Sequence, residues 1–127
     1  MVKREEEEQM KKLIVEMDTK MSQRSFKYFF ETVLGFEYAD HHKLWNDGLT
    51  DNRYYCVKAS RDHGKSVFFM SYALWIAAFN PDKHIMVFSH SLEQTLEHMR
   101  FIRNNIDAAP CLQHLKPGGI PWRKTYF

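Results

Sequence analysis

Cysteine is scarce in this chain. Its two, Cys56 and Cys111, lie far apart, with no second Cys or His at metal-ligand spacing. That argues against a zinc site and against a disulfide scaffold, and it fits a reducing, cytoplasmic setting. Long apolar runs are missing too: the longest, residues 67–79, is interrupted by Ser71 and falls short of the roughly 18 residues that a membrane span needs. The opening "MVKREEEEQMKK" is too charged for a secretory signal. No excess of one sign of charge stands out, since 18 basic side chains face 16 acidic ones and leave a formal charge of +2. Composition therefore gives no electrostatic argument for nucleic acid or membrane as a partner. These absences describe a soluble, intracellular chain. Its 44% hydrophobic content is enough for one domain with a real core in 127 residues.

Along residues 3–21, Met10, Leu13, Ile14, Met17 and Met21 recur at helical spacing behind the run Glu5, Glu6, Glu7 and Glu8. The spacing predicts an amphipathic arm over residues 1–24, its glutamates favoured at a helix start by the macrodipole. A second helix follows Ser22 or Ser25, with Phe26, Phe29, Phe30, Val33 and Leu34 as its apolar positions and Gly35 as its stop. "FEYADHHKLWNDGLTDN" ends in an Asp, Asn and Gly cluster that reads as a loop. Residues 54–59 and 84–89 are short β-type runs, each followed by a helical pattern: one starts at Lys65 and ends before Asn80-Pro81, the other starts at the capping box "SLEQ". Strand, helix, strand, helix predicts a right-handed βαβ unit, hence an α/β fold with a parallel sheet and flanking helices over residues 25–127.

Between the first β-type run and its helix lies "ASRDHGKS", residues 59–66. It fits the phosphate-loop pattern G-x-x-x-x-G-K-[ST] at every fixed place except the first, where Ala59 replaces glycine. In such a loop, backbone N–H groups converge on phosphate oxygens, so Gly64 keeps the backbone close and free of a Cβ. Lys65 carries an ammonium to the β- and γ-phosphates, and the Ser66 hydroxyl ligates Mg²⁺. Asp62 puts a carboxylate in a loop meant for anions, which requires its side chain to turn outward or bond neighbouring amides. Arg61 is suited to act on a γ-phosphate as an in-cis arginine finger, with a solvent-facing loop arginine as the plainer reading. His63 can join the loop's hydrogen bonding. His90 falls at the end of the second β-type run, where ligands gather in parallel sheets. The run Phe68, Phe69, Tyr72, Trp75 and Phe79 is apolar nearly all round, which predicts a helix packed on several sides rather than a base-stacking platform.

"ASRDHGKS" resembles the variant phosphate loop of the large subunit of tailed-virus terminases, in which a Ser-Arg or Pro-Arg pair replaces the usual glycine-rich opening. "HIMVFSHSLEQTLEHMRFIRNNI" is similar to the segment that follows in that family. The likeness covers roughly residues 25–110, with the loop its specific part. It implies a P-loop ATPase, using ATP and Mg²⁺, that drives double-stranded DNA into a capsid through the portal, as a homo-oligomeric ring working with a small terminase subunit at the procapsid in the host cytoplasm. On that resemblance residues 59–66 (Ala59, Ser60, Arg61, Asp62, His63, Gly64, Lys65 and Ser66) hold the nucleotide, with Lys65 and Arg61 catalytic. "ADHHKLW" then falls where the family tends to contact adenine, which makes His42 and Trp45 candidates, a packed role being the plainer reading.

The chain departs from the family in two ways. Asp62 stands where glycine is common, which changes the local loop shape. No run of four apolar residues ends in Asp-Glu, and no nuclease-type carboxylate cluster is present. A phosphate loop without a carboxylate to hold Mg²⁺ and align water is not a complete hydrolase. The expectation is thus the front part of a longer protein, inactive as an ATPase alone, whose apolar β-type runs leave unpaired edges. The rival readings are another P-loop translocase such as a helicase, and a non-catalytic nucleotide-binding assembly module.

Overall fold

The computed structural model describes residues 2–59, 64–80 and 82–115. They form α1 (Val2–Arg24), a short α2 (Phe26–Tyr28) that widens into a π-turn (Phe29–Val33), α3 (Asp40–Asp51), α4 (Lys65–Phe79), α5 (Leu92–Ala108) and a 3₁₀ segment (Pro110–Leu115). Local chemistry sets most of these ends. Ser25 Oγ accepts the N–H of Tyr28 and starts α2, and Ser91 Oγ accepts the N–H of Gln94 and starts α5. Gly35, at φ 77°, closes the π-turn as the N–H of Phe36 reaches back to the carbonyl of Phe30. The wider turn leaves two consecutive phenylalanines, Phe29 and Phe30, fully buried.

The expected α/β fold is not what the chain adopts. Among the described residues there is no strand and no sheet, so the parallel βαβ reading is overturned in favour of a helical assembly. Residues 55–59 and 83–89 do run without helix, but they exchange no backbone hydrogen bonds with each other among the described residues. A strand exists only by virtue of its partner, and the apolar pattern of a run cannot supply one. Each run instead packs by itself. Val57 and Ala59 lie against the core while Tyr54 is exposed, and Val87 is half-buried while Met86 and Phe88 face outward. The segment expected to be a loop is also different: residues 40–51 form α3, because His42, Trp45 and Leu49 share one face and pack inward despite the Asn, Asp and Gly around them.

The core is an aromatic cluster. Phe26 meets Phe68, Tyr72 and Trp75 edge-on, at ring distances of 5.3, 5.2 and 5.5 Å. Phe30 meets Phe68 and His42 edge-on and Phe36 at a tilt, so α4 is wrapped on several sides, as its all-round apolar sequence requires. Leu74, Ala78, Ile106, Cys111 and Leu112 continue the core between α4, α5 and the 3₁₀ segment. α1 joins this body through its second half. Trp75 Nε1 donates to the Ser22 carbonyl at 2.6 Å, and the Tyr28 hydroxyl donates to Asp18 at 2.7 Å. The face of α1 that docks thus carries Val15, Asp18 and Ser22, not the stripe of Met10, Leu13, Ile14, Met17 and Met21, which stays exposed.

Candidate functional site

The phosphate-loop pattern leads into the N-terminus of α4. Gly64 is the residue before the helix, with φ 69° and ψ 29°, a left-handed conformation that side-chain-bearing residues adopt only at a cost. Its carbonyl accepts the N–H of Phe68 at 2.9 Å, so the helix is fully wound from its first turn. No side chain caps this end from Gly64, in contrast to α5, where Ser91 does. Helix N-termini of this kind present backbone N–H groups and the positive end of the dipole to an anion.

Lys65 is the first helical residue and is half-buried. Its ammonium donates to the carbonyl of Ala59 at 2.6 Å, bringing together the first residue of the pattern and its lysine. Ser66 follows on the helix with its side chain exposed. Ser60, Arg61, Asp62 and His63 lie outside the described residues. Among the described residues no three His, Cys, Asp or Glu side chains gather as a metal site.

The two adenine candidates converge on the same helix end. His42 Nδ1 accepts the N–H of Ala39 at 3.0 Å, so in the neutral ring the proton sits on Nε2. Nε2 lies 3.8 Å from where a Cβ on Gly64 would stand. The His42 ring stacks on Phe68 at 5.3 Å with 8° between planes, and Trp45 stacks on Phe69 at 5.9 Å and 19°. Both rings are buried, and a base stacking on His42 would have to displace Phe68. What faces Gly64 is the Nε2 edge of His42, a hydrogen-bond donor. Sequence reasoning did not anticipate Phe68 as the residue that holds His42 beside Gly64. The His42, Trp45 and Leu49 spacing is the signal that would have revealed α3 and hence this packing.

His90 lies at the bend before α5, exposed, and with the sheet absent among the described residues its expected placement at a strand edge lapses. No helix of the described residues is long and apolar enough to cross a membrane. No family model matches this chain, and no curated protein or solved structure matches it.

Proposed function

We infer that this chain is a nucleotide-binding element of a viral DNA-packaging motor. In the complete machine it would couple ATP hydrolysis to movement of double-stranded DNA into a capsid. The observation that carries the reading is the conjunction at one helix end of a left-handed Gly64, the N-terminal amides of α4 and a Lys65 ammonium folded onto Ala59. In this scheme the β- and γ-phosphates settle on the N-terminal amides of α4, and Lys65 exchanges the Ala59 carbonyl for phosphate oxygen. Ser66 ligates the Mg²⁺, Arg61 acts on the γ-phosphate, and the Nε2 edge of His42 lies beside Gly64. The resemblance of residues 59–66 to the terminase loop supplies the DNA, the portal and the small subunit as partners. The helical fold supplies none of them.

No carboxylate in the sequence is placed by motif to align water, so binding without turnover is the activity proposed for these 127 residues themselves. The test is titration of the protein with a fluorescent ATP analogue and Mg²⁺, with hydrolysis followed in parallel. Saturable binding that Lys65→Ala weakens at least tenfold, with no phosphate release, supports the reading. Equal binding by wild type and Lys65→Ala refutes it. Turnover that Lys65→Ala abolishes would keep the motor and reject the claim that these residues cannot hydrolyse alone.

A further inference from the structure

The exposed stripe of α1 has the geometry of a two-helix seam. Met10, Ile14, Met17 and Met21 are spaced four, three and four residues apart, the a/d rhythm of a coiled coil, with Leu13 flanking. All five are between 43% and 65% exposed, although the opposite side of the same helix docks on the body. Residues 2–14 are exposed throughout, so α1 extends about 20 Å with no side chain buried. A helix so little supported is marginal in water, and an apolar stripe along it gains most from a partner of matching length.

Charge along the seam says which partner fits. Continuing the rhythm outward places Glu7 at one end of the stripe and Arg24 at the other. Glu6 flanks the first end and Lys20 the second, and all four are exposed. We propose that the stripe is a self-association surface, on which α1 of a second copy of this chain lies antiparallel. In that register Met10 faces Met21 of the second copy, Ile14 faces Met17, and Glu7 at each end meets Arg24. A parallel pair would set Glu7 against Glu7 and Arg24 against Arg24, so the charges select the antiparallel arrangement. The contact is two-fold and closes on itself, giving a dimer rather than a chain of copies. It involves no residue of the nucleotide loop, and it stands or falls independently of nucleotide binding.

The experiment is sedimentation of the full chain over a range of concentrations, with circular dichroism to confirm folding of each variant. The expected result is a concentration-dependent dimer whose Kd rises at least tenfold in Ile14→Glu. Glu7→Lys and Arg24→Glu each weaken it, and the Glu7→Lys/Arg24→Glu double variant recovers it. Orientation is read in a Cys56→Ser background with a short bis-maleimide. Met10→Cys mixed with Met21→Cys should cross-link between chains, and Met10→Cys alone should not. A monomer at every concentration overturns the proposal, as does a dimer indifferent to Ile14→Glu. Efficient Met10→Cys self-linking, or single charge reversals without effect, would overturn the antiparallel pairing.

Discussion

Trp75 Nε1 donates a 2.6 Å hydrogen bond to the carbonyl of Ser22, a residue with no exposed surface. This one contact joins α4, which the phosphate-loop pattern opens, to the C-terminal end of α1, which carries the exposed stripe. Replacing Trp75 by Phe keeps an aromatic ring against Phe26 but leaves a buried carbonyl without its donor. A loss of about 1–3 kcal/mol is expected, the usual cost of orphaning a buried polar group. Urea unfolding would measure it, and an unchanged midpoint would mean that water replaces the indole at this carbonyl.

Gly64 tests whether the left-handed turn before α4 is needed. Among the described residues a Cβ there meets His42 Nε2 alone, at an ordinary 3.8 Å, so their packing does not forbid alanine. The cost of Gly64→Ala is conformational, about 1–2 kcal/mol for an L-residue held at this φ. Gly64→Asn, which tolerates the left-handed region, should recover most of that stability. Thermal unfolding of the pair decides the point: equal melting of Gly64→Ala and wild type would show that the turn relaxes to another conformation at no cost.

Gly48 sets two effects against each other. It lies inside α3, where alanine would gain about 0.8–1.0 kcal/mol in helix propensity, yet an added Cβ would run into the ring of Tyr55. Tyr55 is 40% exposed and the clash is with the far end of its ring, which can swing away. Gly48→Ala should therefore be neutral to slightly stabilising in the wild type and gain the full propensity term in a Tyr55→Ala background. A loss beyond about 1 kcal/mol in the wild type alone would show that Tyr55 anchors the segment after α3.

What the sequence disclosed was local. Ser25, Gly35, Lys65, Asn80 and Ser91 mark helix ends by chemistry within a few residues, and the structure puts helix ends there. The lack of a sheet among the described residues was not legible, because pairing joins distant residues and an apolar run such as 84–89 looks the same with or without a partner strand. α3 was hidden by Asn46, Asp47, Gly48 and Asp51, residues of low helix propensity, of which Asp47 and Asp51 lie exposed on the side away from His42 and Trp45. At the candidate site the Gly-Lys-Ser order foretold the helix start. The stacking of His42 on Phe68 could not be read, since it depends on how α3 and α4 cross.

The pair Tyr28 and Asp18 makes the fold sensitive to alkali. Donation of the Tyr28 hydroxyl to the Asp18 carboxylate raises the phenol above its ordinary pKa of 10.0, with desolvation adding in the same direction. Asp18 on α1 and Cys111 on the 3₁₀ segment are the charges that act on it, and burial raises the Cys111 thiol as well. A phenol whose pKa is higher folded than unfolded contributes stability that is complete below pH 10 and fades as pH climbs through the folded value. Wild type should therefore lose stability above pH 10 more steeply than Tyr28→Phe, and the gap between them should narrow as pH rises. Tyr38 and Tyr72, both raised by burial, and the Cys111 thiol titrate in the same direction in either protein, so the variant keeps a shallower alkaline limb. Urea midpoints from pH 7 to about pH 11 would show this. A gap that stays constant across the range would mean that the Tyr28 proton is not shared with Asp18 in the folded state.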